Sequence, residues 1–196
     1  MLEDGAVARR KNYLGKADFE KGLKALDEEI GKDEMITAFA PIRMITAGGF
    51  LAVKPLKAAI KKTGKDLYFD TEWANEDMAL FVTKSAREYL FSKAEEQNIV
   101  LFRGDNLVLL AAPMKWAVER KIRRIYAADR GRKAESDLSD CLAMLKYLRE
   151  QRNGPLDREY IRTLNINAFD VLPDAQTMDT IAEAYREKYN EEIFKE

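Results

Sequence analysis

Gly48 and Gly49 stand between an apolar run, Ile42 to Thr46, and a segment of apolar residues and lysines, Phe50 to Ile60. A strand, a glycine turn and a helix in that order leave bare backbone and unpaired N–H groups at a helix start, where they can approach a phosphate closely. The same pair also suits a plain tight turn, which is the commoner use of an isolated Gly-Gly. Downstream, Asp66 to Asp70 reads as a second strand. Acids at alternate strand positions share one face about 6 to 7 Å apart and can together hold a divalent metal. Here Asp66-Leu67-Tyr68 sets an acid and a tyrosine at those positions, while Asp66 and Asp70 share a face roughly 13 Å apart. Asp70-Thr71-Glu72 offers a further pair at the right spacing, at the strand's end. Asp66, Asp70 and Glu72 are therefore the candidate metal ligands, with solvated acids at a strand end as the alternative.

A lysine supplies the next candidate. Met114, Ala117, Val118, Ile122 and Ile125 recur at helical spacing, and helical geometry sets Lys121 inside their apolar arc. A cation in that place needs a partner: a phosphate, a carboxylate in an ion pair, or water reached by snorkelling. Lys115, Arg120, Lys121, Arg123, Arg124, Arg130, Arg132 and Lys133 outweigh Glu119 and Asp129, which makes 115–133 the most basic stretch of the chain. It is a candidate surface for an anion or for nucleic acid, against the plainer reading of a solvated helix face. Asp137 lies at the edge of the following apolar face, Leu138, Cys141, Leu142 and Leu145, and would meet Lys121 if the two helices form a hairpin.

These residues need elements to hold them. Phe19, Leu23, Leu26 and Ile30 predict a first amphipathic helix, started by Asp18 and ended by Gly31. Pro55 sets the regular start of the second helix near Lys54. After Asp70 a long helical pattern presents Met78, Phe81, Val82, Ala86, Tyr89 and Leu90. Ile99 to Phe102 and Leu107 to Ala111, joined through Gly104-Asp105, predict a β-hairpin. Helices follow from Pro113 to about Ala128 and from about Ala134 to Glu150, closed by Asn153-Gly154-Pro155. A short helix over Arg158 to Leu164 and a terminal one carrying Met178, Ile181, Ala182, Tyr185, Tyr189 and Ile193 complete the order.

Composition narrows the chemistry. The 196 residues, 46% of them hydrophobic, suffice for a substantial core. Thirty-three basic and 34 acidic side chains nearly cancel, so any preference for a polyanion is local. The chain has no histidine and one cysteine, Cys141, which removes Ser-His and Cys-His nucleophile pairs, nearly every zinc site and any internal disulfide. What remains is chemistry on oxygen-ligated Mg²⁺ or Mn²⁺, or binding alone. Met1 to Lys11 has no signal-like apolar run and no later stretch reaches the length of a membrane span, so the expectation is a cytoplasmic protein with no membrane segment.

The whole order resembles the nucleotidyltransferase-fold superfamily, in particular small stand-alone members of the abortive-infection type and fungal relatives. The resemblance spans Ile42 to Leu148. It is carried by Ile45-Thr46-Ala47-Gly48-Gly49, by Lys65-Asp66-Leu67-Tyr68-Phe69, by Gln97-Asn98-Ile99-Val100-Leu101-Phe102 and by Ala111-Ala112-Pro113 leading to Lys121. Lys121-Ile122-Arg123-Arg124, then Arg130 and Arg132-Lys133, then Asp137-Leu138-Ser139-Asp140 look like the family's lysine helix, arginine loop and acidic helix. The resemblance implies an α/β (α+β) fold with a mixed sheet flanked by helices over residues 1–153, and a C-terminal helical extension, 154–196, packed on the same domain.

It implies that Gly48 and Gly49 hold nucleotide phosphates with Arg130, Arg132, Lys133 and Asp137 nearby. It also implies that Asp66, Asp70 or Glu72 bind Mg²⁺ or Mn²⁺, and that Lys121 assists transfer of NMP from a nucleoside triphosphate. Tyr68 stands where the family has its second acid, and the Ile99 to Phe102 strand carries no third carboxylate. Two expectations follow: a divergent nucleotidyltransferase that binds a nucleotide or other phosphate ligand, and a catalytically inactive binding protein on the same fold.

Overall fold

The computed structural model describes residues 10–11, 14–37, 41–45, 54–71, 73–74, 82, 84–127, 133–166 and 168–195. The chain is mixed α/β and forms two compact units, residues 1–111 and 112–196. The second unit begins at Ala112.

In the first unit, α1 (Lys16–Gly31) turns Leu23, Leu26 and Ile30 inward, as its spacing predicts. Asp18 closes its start by accepting from Gly15 N at 3.4 Å. A single turn, α2 (Glu34–Thr37), precedes β1 (Ile42–Ile45). Helix α3 (Lys54–Asp66) has Pro55 in its first turn, where a missing N–H costs nothing, and buries Leu56, Ala59, Ile60 and Thr63. Helix α4 (Lys84–Gln97) buries Leu90 and Ala94. Tyr89, assigned to the core face by its spacing, is exposed, whereas Met78 and Phe81 lie outside the described residues.

The predicted hairpin is formed by β2 (Val100–Arg103) and β3 (Leu107–Leu110), antiparallel, with a register shift at Leu101. Strand β1 joins the other edge of β3 in parallel, so the sheet is mixed, in the order β1-β3-β2. All four residues of β3 are buried, as a central strand requires. The α1 and α3 side chains share one core with Met44, Leu107 and Leu109.

In the second unit, α5 (Met114–Tyr126) and α6 (Ala134–Arg152) pack antiparallel, because Lys121 meets Asp140 while Arg124 meets Asp137. Asn153 ends α6 in the left-handed conformation at φ 60°, and the chain returns through β4 (Leu156–Asp157). Asp157 and Asp174 cap α7 (Arg158–Arg162) and α8 (Ala175–Tyr189) by accepting from Tyr160 N and Thr177 N. A last strand, β5 (Phe194–Lys195), pairs with β4 in parallel. Val118, Ile122, Cys141, Leu142 and Leu145 share one core with Leu156, Ile161, Met178, Ile181, Tyr185 and Ile193. The segment 154–196 thus completes the core that α5 and α6 begin, and Asn153 is a turn inside that unit. Among the described residues no helix is long and apolar enough to cross a membrane.

Candidate functional site

The strand expected over Asp66 to Asp70 does not form. Helix α3 continues through Thr63-Gly64-Lys65 and ends at Asp66, Tyr68 takes a left-handed φ of 57°, and only Phe69 makes a bridge, to Lys11. The physical reason is Gly64. Read as a helix breaker, it is a point of close packing: a Cβ there would lie 2.9 Å from the Asp70 carbonyl oxygen and 3.0 Å from the Trp73 ring. The turn that follows is held by Tyr68 N donating to Lys65 O and Phe69 N donating to Gly64 O. The Trp73 indole N–H donates to Ile60 O at 3.0 Å, which ties that turn to α3.

Asp66 and Asp70 therefore do not share a strand face. The Asp66 carboxylate is exposed at the end of α3 and pairs at 2.9 Å with Lys62, which also meets Glu29. These two carboxylates raise the Lys62 ammonium above its ordinary value, so the pair is an ordinary surface contact. Among the described residues no group of three metal-ligating side chains converges. Gly48, Gly49, Glu72, Arg130 and Arg132 lie outside the described residues, and Lys133 is exposed at the start of α6.

Lys121 and Asp137 are brought together. The Lys121 ammonium donates to Asp137 Oδ1 and to Asp140 Oδ2, both at 2.7 Å, and Arg124 adds a 3.5 Å contact to Asp137 Oδ1. Asp137 is almost fully buried. Burial opposes its ionisation, but the hydrogen bond from Lys121 and the charges of Lys121 and Arg124 outweigh burial and hold the carboxyl below its ordinary value. Burial likewise opposes the charge on Lys121, and its two carboxylates raise it above the ordinary value. Of the partners open to Lys121, the fold supplies carboxylates, and two of them offset its charge.

The neighbouring face of α5 was not singled out by spacing. Arg123 pairs with the buried Glu119 and donates to Leu164 O, Asn165 Oδ1 and Val171 O, so its charge is absorbed. Glu119 also accepts from Ile166 N at 2.8 Å. Arg120 differs. Its guanidinium is half-buried over the Trp116 ring at 5.7 Å and the Phe169 ring at 5.9 Å, and no carboxylate among the described residues lies within ion-pair range. Burial and the like charges of Arg124 and Arg123 push it below its ordinary value, although it stays a cation at neutral pH. Trp116, one helical turn earlier, is buried, and its indole N–H has no acceptor among the described residues. The Trp116–Arg120 spacing of four could have indicated the stacked pair. Nothing in the spacing of 165–171 indicated Phe169, because a loop has no period.

No curated protein and no solved structure matches the chain. A family model described as a domain of unknown function (DUF7582) matches residues 42–192, which run through both units, and the chain belongs to that family.

Proposed function

We propose that this chain is a divergent nucleotidyltransferase-like protein that binds a phosphate-bearing ligand and does not transfer a nucleotidyl group. The observation that carries the binding part is the pair of donors on α5. The Arg120 guanidinium and the Trp116 indole N–H can only donate, stand one turn apart, and have no acceptor among the described residues. Buried donors without acceptors are costly, and an anion beside a half-buried guanidinium offsets that cost with charge-assisted bonds. Lys121, the expected phosphate contact, yields this part to Arg120 and Arg124, because Asp137 and Asp140 already neutralise it. The pairing of lysine helix with acidic helix supports the likeness to the nucleotidyltransferase fold.

The second part rests on the carboxylates. Asp66 ends a helix against Lys62 and does not align with Asp70, so the described acids do not fit a divalent-metal site and no transfer step is assigned to them. The competing reading, an active enzyme using Mg²⁺ or Mn²⁺, needs Asp66.

A thermal-shift titration with each nucleoside triphosphate, with and without Mg²⁺ or Mn²⁺, tests both parts. A ligand at about 100 times its Kd stabilises by about 2.7 kcal/mol, a shift of several degrees. The expected result is a metal-independent rise that is lost in Arg120→Ala and kept in Asp66→Asn. The absence of a shift with any nucleotide would overturn the binding part. A metal-dependent shift abolished by Asp66→Asn would restore the enzyme.

A further inference from the structure

Tyr160 and Phe169 are large rings left 47% and 38% exposed on the second unit, and cations sit against both. Lys115 Nζ lies 5.1 Å from the Tyr160 centroid and 3.0 Å from its hydroxyl oxygen. The Arg123 guanidinium lies 4.7 Å from the Phe169 centroid. Exposed rings on loops are ordinarily loose, yet Phe169 is fixed by its own backbone. Its N–H donates to Asn165 Oδ1 at 2.8 Å and its carbonyl accepts from Asn165 Nδ2 at 2.9 Å. Arg123, neutralised by Glu119, donates to the same Asn165 Oδ1 at 2.9 Å and braces the loop from below. The fold thus spends a buried ion pair and an asparagine on holding an apolar ring at the surface.

The charge beside these rings is positive. Neither Lys115 nor Arg120 has a carboxylate in ion-pair range among the described residues. Of the nearby acids, Glu119 is taken by Arg123 and Glu159 by Arg162, which leaves Asp170 at the rim. Fixed exposed rings next to uncompensated cations are the two parts of a platform that stacks unpaired bases and tracks their phosphates.

We propose that this face of α5, α7 and residues 165–166 and 168–171 binds single-stranded nucleic acid. Phe169 and Tyr160 take bases on their ring faces, and Lys115 and Arg120 take phosphates. A duplex has its base faces occupied by its own stacking and so has no use for the rings. An acidic peptide matches the charge but brings no flat surface. The proposal extends the phosphate-ligand reading to a polymer and shares Arg120 with it.

Fluorescence anisotropy of the full chain with a labelled oligouridylate of about a dozen nucleotides tests it, this length lying within the span that single-strand sites cover. The expected outcome is binding whose log affinity falls with log salt at a slope of about −1.4, two phosphate contacts at about −0.7 each. Phe169→Leu and Tyr160→Leu, which keep an apolar side chain without a π face, should each weaken binding roughly tenfold. Phe169→Tyr and Tyr160→Phe should bind as the parent does, and unchanged thermal melts show that the leucine variants are folded. Absence of binding at low salt overturns the proposal. So does equal affinity for a duplex of the same length or for polyglutamate, or indifference to both leucine substitutions. The two readings fail separately: a nucleotide shift without oligonucleotide binding leaves the small-ligand reading standing, and oligonucleotide binding without a nucleotide shift removes it.

Discussion

Lys121 shows how much one residue's position in a helical arc can say. A lysine set among Val118, Ile122 and Ile125 has to be neutralised, and the candidates are few. The fold answers with Asp137 and Asp140, each at 2.7 Å. Removing one member of a buried pair leaves the other charge uncompensated, which costs about 3–5 kcal/mol. Lys121→Met takes from Asp137 its 2.7 Å hydrogen bond and leaves the longer Arg124 contact in place, so we expect a loss near the lower end of that range in urea unfolding. Asp137→Ala leaves Lys121 its second carboxylate, and a smaller loss of about 2 kcal/mol follows on the same grounds. The double variant should recover at least about 1 kcal/mol relative to the sum of the two. Strict additivity would show that the two side chains do not depend on each other. Arg120 carries the opposite lesson. Its charge is as visible in the sequence as that of Lys121, but its lack of a carboxylate among the described residues is a property of packing, and no spacing rule shows which of several neighbouring cations is left without one.

At the scale of elements, the segments that read correctly are those with a long period or a self-contained turn. Helices α1, α5, α6 and α8 follow their apolar spacing, and the β2–β3 hairpin follows Gly104-Asp105. The segment 66–70 failed because it is short. Four or five residues support a strand or the end of a helix equally well, and Gly64 tipped the reading towards a break that the fold does not make. Both β4 and β5 are two residues long and pair across the intervening α7 and α8, so nothing local announces them.

Gly104 belongs to this scale as well, because its role is to let one element approach another. Asp27 of α1 accepts from the backbone N–H groups of Asp105 at 3.2 Å and Asn106 at 2.8 Å. A Cβ on Gly104 would stand 2.3 Å from the Asp27 carboxyl carbon. Gly104→Ala should displace that carboxylate, at a cost of about 2 kcal/mol in overpacking and lost charge-assisted hydrogen bonds. In an Asp27→Ala background the obstruction is gone, and the same substitution should change the thermal midpoint by less than a degree or two. An equal loss in both backgrounds would place the strain elsewhere.

The whole molecule carries 33 basic and 34 acidic side chains and no histidine, and this sets the shape of its stability against pH. With no histidine, no side chain has its ordinary value between about pH 6 and 8, so stability there should be nearly flat. On the acid side the informative groups are carboxylates whose folded values are lowered. Their partners are Lys121 for Asp137, Lys62 for Glu29 and Arg186 for Glu192. A lowered folded value means stability that is present above the unfolded values, 3.8 for Asp and 4.5 for Glu, and is lost as pH falls through the folded ones. The acid limb should therefore begin just above pH 4 and deepen below it.

The alkaline limb has the reverse origin. Burial pushes the Cys141 thiol up from 9.0 to about 12, so above pH 9 the unfolded chain ionises and the folded one does not. Ionisation then favours unfolding, by about 1.4 kcal/mol at pH 10. Tyr185, raised by burial, adds in the same direction above its ordinary value of 10.0. Urea midpoints from pH 7 to 10 should fall along this curve for the parent, while Cys141→Ala, less stable throughout because of the cavity it leaves, should lose little more on going to pH 10. Parallel alkaline limbs in the two proteins would mean that the buried thiol is not the group that titrates.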